Sequence, residues 1–371
     1  MSRVLVTGGA GFIGSHLVDA LVEEGHEVRI LDNLDPQVHT EGKPGYLNPE
    51  AEFVQGDVRK RDDLRLALKG IEYVYHQAAL VGVGQSMYRI EDYVDVNTRA
   101  TATLLDLIVN EKIPLKKLMV ASSMSIYGEG AYETADGKPY YPMLRDEEQM
   151  KQGIWEMLAQ DGKTRVKPVP TPEEKPLQPT SVYAVSKKDQ EELCLIVGRA
   201  YNIPTVALRY FNVYGPRQSL SNPYTGVCAI FSSRIKNDNP PIVNEDGHQS
   251  RDFVHVRDIV QANLLVMREE RANYQAFNVG TGAPTTVLQI AETLAKLYGR
   301  EVKPEIAARF RAGDIRHCVS DASKLRALGF KPTRNLEEGL KELVEWAEDV
   351  RAVDLVDRAE AELKEKGLTR G

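Results

Sequence analysis

Short apolar runs alternate with longer amphipathic stretches through the first two-thirds of the chain. The apolar runs predict strands at residues 3–7, 27–31, 52–55, 71–76, 117–121 and 205–208. Apolar residues three or four positions apart predict helices at residues 12–24, 61–68, 92–110 and 182–201. Because strands and helices alternate, we expect right-handed crossovers and a Rossmann-type α/β fold, with a doubly wound parallel sheet.

After about residue 210 the alternation loosens and turn-rich stretches separate four helical patterns, at residues 227–236, 256–268, 287–298 and 336–350. These patterns predict a smaller lobe that faces the carboxyl edge of the sheet. The expected division is a first domain at 1–210, a mainly substrate-binding C-terminal lobe at 211–350 and a helical tail at 351–371. Val356, Ala359 and Leu363 have helical spacing among many charges, which predicts a surface helix that frays at its end.

One segment, residues 129–178, has no clean period and is rich in Pro, Glu, Lys and Tyr. Structureless loops of this length are rare inside compact domains and are usually functional or disordered. The segment contains no Cys and no His, so it is not a metal module, and no metal site is expected elsewhere.

Composition narrows the class of protein. The formal charge of −7 and the absence of a Lys/Arg run argue against a nucleic-acid-binding surface. Cys194, Cys228 and Cys318 show no paired spacing and are expected to be reduced thiols, as in a cytoplasmic protein. No apolar run approaches the roughly 20 residues that span a bilayer, and a predicted strand at residue 3 leaves no room for a signal peptide.

Glycines at positions 8, 11 and 14 lie between the first strand and the first helix. Such a turn lets the backbone approach a pyrophosphate, which then lies on the helix N-terminus where free N–H groups favour anions. Asp32 follows at the end of the second strand, where its carboxylate can accept both ribose hydroxyls of NAD and would repel the 2′-phosphate of NADP. NAD is therefore the expected cofactor.

Tyr183 and Lys187 lie one turn apart at the start of a predicted helix, on the same face. The reference pKa of tyrosine is about 10, so the free side chain is a poor base at neutral pH. A neighbouring ammonium and the positive nicotinamide ring favour the phenolate. Tyr183 can then accept a hydroxyl proton while hydride leaves the same carbon.

The conjunction of these motifs resembles the extended short-chain dehydrogenase/reductases that act on nucleotide sugars, in particular the UDP-glucose 4-epimerase family. The resemblance covers residues 1–128 and 179–350 and includes the His76 to Ala79 and Ser122 to Gly128 segments. It implies catalytic roles for Ser123, Tyr183 and Lys187. It also implies a cofactor site formed by Gly8, Gly11, Phe12, Ile13, Gly14, Asp32, Asn33, Asp57, Val58, Gln77, Ala78, Ala79, Asn97, Tyr183, Lys187 and Tyr210.

The second lobe carries the motifs that face the substrate in this family. The resemblance implies that Ser123, Tyr183, Asn212, Arg251, Arg311 and Asp314 contact a UDP- or dTDP-linked sugar. Arg251 and Arg311 stand where relatives hold the diphosphate, and a guanidinium fork matches phosphate oxygens. Relatives commonly form homodimers through the helices that match 92–110 and 182–201, so a homodimer is expected.

The departure from the family pattern is the segment 129–178. Ser123 and Tyr183 are 60 positions apart, against about 25 in relatives. Two interpretations stay open: a surface excursion, and a lid over the sugar pocket. The insertion resembles one in the branch named dTDP-L-rhamnose 4-epimerase, which adds a deoxysugar to the candidate substrates.

The resemblance implies epimerisation at C4 of a nucleoside-diphosphate sugar through a 4-keto intermediate. Another nucleotide-sugar enzyme (a 4,6-dehydratase, decarboxylase or reductase) and a non-catalytic NAD-binding regulator remain as alternatives. Related dehydratases carry an Asp-Glu pair directly after the catalytic Ser/Thr, and decarboxylases usually carry a Glu at the second position. Here these positions are Met124 and Ser125, which do not exchange protons near neutral pH.

Overall fold

The computed structural model describes residues 1–311 and 313–370. Its strands are β1 Arg3–Thr7, β2 Glu27–Asp32, β3 Glu52–Gln55, β4 Tyr73–His76, β5 Lys117–Ser123, β6 Ala131–Glu133, β7 Pro139–Tyr140, β8 Lys167–Val169, β9 Thr205–Tyr210, β10 Asn212–Tyr214, β11 Ile242–Val243, β12 Ser250–His255, β13 Gln275–Val279, β14 Pro284–Thr286, β15 Glu305–Ile306, β16 Phe310–Arg311, β17 His317–Cys318 and β18 Thr369–Arg370.

The α-helices connect these strands or pack on them. They are α1 Phe12–Glu23, α2 Arg61–Ala67, α3 Val83–Ser86, α4 Ile90–Tyr93, α5 Ala100–Asn110, α6 Glu147–Lys151, α7 Val182–Tyr201, α8 Val227–Lys236, α9 Val256–Arg268, α10 Val287–Leu297, α11 Ser323–Arg326, α12 Leu336–Glu348 and α13 Val356–Glu365. A π-helical stretch, Val94–Arg99, joins α4 to α5, so the helix predicted at 92–110 is continuous but changes its winding.

Seven parallel strands form the central sheet, in the order β13-β9-β5-β4-β1-β2-β3. Successive side chains of a strand point to opposite faces. Val4 and Val6 of β1 accordingly join a core with α1 and α9, and Leu5 joins a second core with α2, α5 and α7. This arrangement confirms the predicted α/β, doubly wound fold.

The seventh strand, β13, was not predicted. It pairs with β9 at the edge of the central sheet, and α9 packs against α1 on one face. The chain therefore returns to the sheet after residue 210, and the predicted lobe at 211–350 contains one strand of that sheet. Phe277 and Val279 are its buried apolar residues, a signal too short to stand out in a loosened pattern.

Most other elements of residues 211–350 form the smaller lobe, whereas α9 packs on the central sheet. The sheet of this lobe runs β10-β12-β14, with β17 paired to β12. Apolar side chains of α8, α10 and α12 pack together in a separate core that includes Phe231, Leu294 and Leu343. The lobe faces the carboxyl ends of the central strands, because β10 follows β9 directly and leaves the sheet there.

Residues 129–178 fold into a small antiparallel sheet of order β7-β6-β8 with one short helix, α6. Tyr132, Met157 and Val166 form its core. The absence of a clean period therefore does not mean an absence of structure. With three core residues, the segment is too small for a repeating apolar pattern to develop.

Three further findings concern the whole described chain. Within residues 1–311 and 313–370, no helix is both long and apolar enough to cross a membrane. In the same residues, no group of three or more His, Cys, Asp or Glu could hold a metal ion. Cys194, Cys228 and Cys318 are buried free thiols.

Candidate active site

Two clefts open at the carboxyl edge of the central sheet and meet at Tyr183. The first, which we call the cofactor cleft, has a volume of about 370 Å³, and the second, the substrate cleft, about 410 Å³. Their walls share six residues, which are Phe12, Ile13, Val81, Tyr183, Gln218 and Thr225. A group bound in one cleft is thus next to a group bound in the other.

The glycine turn after β1 forms the floor of the cofactor cleft. Gly8 has a φ of +70°, which favours glycine, and a Cβ on Gly14 would lie 2.2 Å from the Gly8 oxygen. The helix can therefore approach the strand only without side chains at these positions. The free N–H groups at the start of α1 then face the cleft, and this cradle fits a pyrophosphate.

Asp32 lies at the end of β2 on the wall of the cofactor cleft. Its carboxylate accepts hydrogen bonds from the backbone N–H groups of Ala10, at 3.0 Å, and Leu34, at 2.9 Å. These bonds hold the carboxylate across the glycine turn. Its position fits the expected contact with a ribose.

Fifteen of the sixteen residues that the sequence assigned to the cofactor line this cleft; Asn97 is the exception. Asn97 is fully buried in the π-helical stretch, where it bonds both the N–H and the C=O of Leu80 and donates to Ser186 Oγ at 2.9 Å. The position of Asn97 indicates that it supports the wall from behind, because Leu80 lines the cleft and Asn97 does not.

Sequence reasoning missed other residues of this wall. His39, Arg59, Arg89, Gln218 and Asn222 line the cofactor cleft. They lie on loops far apart in the sequence, in positions without a motif. Gln37 illustrates the problem: its amide contacts Gln85 and Asn222, 48 and 185 positions away.

Ser181 begins the helix that carries Tyr183 and Lys187. Its hydroxyl accepts the N–H of Ala184 at 3.1 Å and caps α7. Tyr183 donates its own N–H to Ser86 Oγ at 3.0 Å, and its ring packs edge-on against Tyr93. These contacts fix the direction of the Tyr183 side chain toward the junction of the clefts.

Lys187 lines the cofactor cleft and is only 3% exposed. Its ammonium donates to Gln190 Oε1 at 2.8 Å. Burial lowers the pKa of Lys187 to about 7. Burial also raises the pKa of Tyr183, while the hydrogen bond with the Ser123 hydroxyl lowers it. Gln190 in turn donates to Thr101 at 2.9 Å, which continues a buried polar network toward His76.

Ser123 ends β5 and lines the substrate cleft. Its hydroxyl accepts from the backbone N–H of Ser125 at 3.2 Å and from the Ser125 hydroxyl at 2.9 Å. Met124 and Ser125 line the same cleft. Ser123, Tyr183 and Lys187 are thus brought to one place despite the 60 positions between the first two.

Asn212, Arg311 and Asp314 also line the substrate cleft. Asn212 Oδ1 is buried and has no hydrogen-bond partner among the described residues, so it can accept a bond from a ligand. Burial raises the pKa of Asp314, although the positive charges of Arg311 and Arg251 act to lower it. Thr180, near the start of α7, donates to the Gly313 oxygen at 3.1 Å and holds this loop beside the catalytic helix.

Arg251 is placed differently from the expectation. It is not among the residues that line the substrate cleft in the described part of the chain. Its guanidinium instead donates to the backbone oxygens of Ser250, Ile315 and Arg316, at 2.7–2.9 Å. The reason is the parallel pairing of β17 with β12, which brings these oxygens next to the arginine.

Comparison with known proteins decides the family. The sequence profile of the NAD-dependent epimerase/dehydratase family matches residues 4–144 and 161–280. The chain belongs to this family. NAD is the cofactor of the family, in agreement with the expectation from the glycine turn and Asp32.

Curated relatives of this epimerase/dehydratase chain include nucleotide-sugar epimerases. It is 36% identical to a dTDP-L-rhamnose 4-epimerase of Burkholderia thailandensis, over 93% of this chain and 94% of the relative. It is 34% identical to a putative UDP-glucose 4-epimerase of Methanocaldococcus jannaschii, over 92% of this chain and 97% of the relative.

Solved structures agree with this assignment. A UDP-glucose 4-epimerase of Thermotoga maritima, solved with UDP-glucose, is 33% identical and superimposes with a TM-score of 0.76, over 93% of this chain and 98% of its own. A UDP-glucuronic acid 4-epimerase of Bacillus cereus, solved with UDP-glucuronic acid and NAD, is 27% identical with a TM-score of 0.75. This match covers 94% of this chain and 100% of the other.

Proposed function

We propose that this member of the family is a 4-epimerase of nucleoside-diphosphate sugars that acts through a transient 4-keto sugar. The observation that carries the proposal is the position of Tyr183 on the walls of both clefts. A base at this junction can accept a proton from a sugar hydroxyl in the substrate cleft while the same carbon faces the cofactor cleft.

Tyr183 is the proposed base for the C4 hydroxyl. Burial disfavours its phenolate, so the phenolate needs stabilisation from the Lys187 ammonium and from the positive charge of a bound nicotinamide. Ser123 is the proposed hydrogen-bond partner of the reacting oxygen. Gln190 orients Lys187, because its Oε1 accepts a hydrogen bond from Lys187 Nζ at 2.8 Å.

The glycine turn, Asp32 and the other residues of the cofactor cleft are proposed to hold NAD. When bound, NAD would supply the acceptor for a hydride from C4 of the sugar and the donor that returns it to the opposite face. Rotation of the keto sugar between the two transfers would invert the configuration at C4. No net oxidation results, so the cofactor is expected to remain bound.

Arg311 and Asn212 are proposed to bind the nucleoside diphosphate. Arg311 lines the cleft, and Asn212 offers an acceptor that has no partner among the described residues. Arg251 acts through the backbone: by binding the oxygens of residues 315 and 316 it holds the loop that carries Arg311 and Asp314. UDP- and dTDP-linked sugars both remain candidates, in line with the names of the relatives.

Two side chains favour inversion over the other reactions of the family. Removal of water or of carbon dioxide needs further acid–base groups close to the reacting sugar. Met124 and Ser125 occupy the wall next to Ser123, and neither exchanges protons at neutral pH. The curated relatives named above are 4-epimerases, which supports the same reaction here.

The test is a panel of C4-epimeric UDP- and dTDP-sugars followed by proton NMR. The proposal expects the protein to interconvert at least one pair, with no net NADH and no loss of water or carbon dioxide. A 4-keto-6-deoxy sugar, a pentose product or stoichiometric NADH would show a different reaction and would end the epimerase proposal.

A further inference from the structure

The C-terminal tail, residues 351–370, lines the substrate cleft. Val356, Ala359, Glu360 and Leu363 of α13, together with Leu368, form part of its wall. Val356, Ala359 and Leu363 are between 4% and 8% exposed. The surface helix that the sequence predicts is therefore a helix, but its apolar face is buried against the cleft.

Polar contacts hold the tail from both sides of the cleft. Glu362 accepts hydrogen bonds from Tyr88 of the cofactor domain at 3.0 Å and from Tyr224, in the segment before α8, at 2.7 Å. On the other side Arg234 of α8 pairs with Asp357 at 2.7 Å. The antiparallel pairing of β18 with β16 then fastens the end of the tail beside Arg311.

The helix α13 runs along the cleft. Its first turn lies at α8, through the Arg234–Asp357 pair. Its last turn lies at α3, because a Cβ on Gly84 of that helix would be 3.2 Å from Leu363 Cδ2. Ser86, the last residue of α3, accepts the N–H of Tyr183. Leu363 is consequently at the catalytic end of the cleft, where the hexose must lie for Tyr183 to reach its C4 hydroxyl.

Apart from the hydroxyl groups of Ser123, Ser125 and Tyr183, the side chains that we assign to the catalytic end of the cleft are apolar. Besides Leu363 they are Val81, Met87 and Met124. Among the described residues of the whole substrate cleft, Arg311 is the one basic side chain, and the acidic ones are Asp314 and Glu360, the latter paired with Arg309. Arg311 is needed for the diphosphate, so no lining cation remains for a second anionic group on the sugar.

We propose, on the basis of the proposed 4-epimerase function, that α13 determines sugar specificity and that Leu363 selects hexoses with an uncharged substituent at C5. A methyl or hydroxymethyl group fits against Leu363 and the neighbouring methionines. A carboxylate at the same position loses its hydration without gaining a cation, and an unpaired buried charge is strongly unfavourable. The selected class is therefore 6-deoxyhexoses and hexoses, and hexuronates are rejected.

The experiment compares three substrates that share one nucleotide and one ring configuration and differ only in the C5 substituent: a 6-deoxyhexose, a hexose and a hexuronate. Their dissociation constants are measured by titration calorimetry on the NAD-bound protein, and their turnover is measured by NMR. Leu363→Arg introduces a cation at the proposed position, and Leu363→Ala removes the apolar contact with less risk to folding. Ala361→Arg is the matched control, because residue 361 is exposed on the same helix.

The unaltered protein is expected to bind the better neutral sugar at least about 100-fold more tightly than the hexuronate, since the unpaired carboxylate is the only difference. Leu363→Arg should reduce this ratio of dissociation constants by about tenfold or more. Leu363→Ala should raise the dissociation constant of the 6-deoxyhexose by about tenfold. Ala361→Arg should change neither the ratio nor that dissociation constant. Equal binding of hexuronate by the unaltered protein overturns the inference. So does an unchanged ratio in folded, NAD-bound Leu363 variants. Binding decides the inference and turnover decides the proposed 4-epimerase function, so the two can fail separately.

Discussion

Burial raises the pKa of Tyr183, which disfavours its phenolate, and lowers the pKa of Lys187 to about 7, which disfavours its ammonium. The phenolate is favoured only when positive charge is close to it. At the scale of single residues, the proposed proton transfer therefore needs Tyr183 as the acceptor and the positive charges of Lys187 and a bound cofactor beside it. Gln190 and Ser123 contribute by hydrogen bonding to Lys187 and to the reacting oxygen.

Replacement of Tyr183 by Phe removes the proton acceptor and leaves the ring packed against Tyr93. Turnover is expected to fall by at least about 100-fold, the usual range for loss of a general base. The dissociation constant of the nucleotide sugar should change little. Calorimetry and the NMR assay together measure both quantities; a variant that retains half of the normal turnover would mean that another group is the base.

Lys187 is expected to reduce the stability of the folded protein. Its pKa is about 7 in the folded state against 10.5 for the free side chain. Between these pH values the unfolded chain binds a proton that the folded chain does not. The loss of folding stability caused by Lys187 is therefore largest below pH 7, and it decreases as the pH rises from 7 to 10.5. Lys187→Met should therefore raise the Tm at pH 7 by about 2–4 °C.

At pH 10 the difference in Tm between Lys187→Met and the unaltered protein should be clearly smaller than at pH 7. Both proteins are stripped of NAD first, because a bound ligand would itself raise the Tm. Gln190→Met, which leaves the lysine in place, serves as the control for loss of the hydrogen bond between the two side chains. A Tm for Lys187→Met at or below that of the unaltered protein at pH 7 would contradict a lysine destabilised by burial.

Two elements beyond the motifs shape the site: the segment 129–178 and the tail. The segment is a folded sheet, and among the described residues that line the substrate cleft none comes from 129–178. This arrangement favours the interpretation as a surface excursion over that as a lid. The segment contacts the end of the central sheet, where Arg209 and Asn278 bond to Glu173, and also the loop that follows Arg311.

A buried cluster of charges makes the contacts with this loop. Arg145 of the segment donates to Glu245 at 2.7 and 2.9 Å, and Arg316 donates to the same carboxylate at 2.8 Å. Arg316 also bonds Glu156, and Glu129 accepts the backbone N–H of Arg316 at 2.8 Å. The segment thus holds the loop of Arg311 and Asp314 from the side opposite to the cleft.

Arg145→Ala is expected to lower the free energy of unfolding by about 3 kcal/mol, because removal of one partner leaves Glu245 buried with incomplete compensation. The KM of the nucleotide sugar should rise as the Arg311 loop loosens. Urea denaturation measures the first effect and steady-state kinetics the second. Arg165→Ala, an exposed arginine of the same segment, should stay within about 0.5 kcal/mol of the unaltered protein; equal effects of the two substitutions would show that the cluster is unimportant.

How much was predictable differs between elements. Regular spacing and the glycine turn predicted six strands of the central sheet and the cofactor cleft, because local periodicity and short motifs carry that information. The short strand β13, the fold of 129–178 and the burial of α13 depend on partners far away in the sequence. Leu363 illustrates this: its helical spacing was visible, but its contact with Gly84, 279 positions earlier, was not.

At the scale of the whole molecule, several large apolar side chains on α4, the π-helical stretch and α7 are exposed. Ile90, Val94, Val185 and Ile196 are between 42% and 61% exposed, and these helical elements pack beside one another. Grouped exposed apolar residues are typical of protein–protein interfaces. They support the expectation of a homodimer through these helices.

Ile196→Glu places a charge in this surface and is expected to prevent the proposed homodimer, so that the variant is a monomer. Light scattering coupled to size-exclusion chromatography gives the molar mass directly. Val353→Glu is the control, since Val353 is 42% exposed in the tail and not on these helices. A monomeric unaltered protein, or a dimer that survives the substitution at Ile196, would place the interface elsewhere or remove it.

The central claim is that a hydride leaves C4 of the sugar and returns to the same carbon from the opposite side, within one closed site. The most direct measurement is proton NMR of a nucleotide sugar deuterated at C4, with the NAD-bound protein in ordinary water. The account predicts that both C4 epimers appear and that both keep the deuterium at C4. Loss of the label to solvent, an accumulated 4-keto product or release of labelled NADH would contradict it.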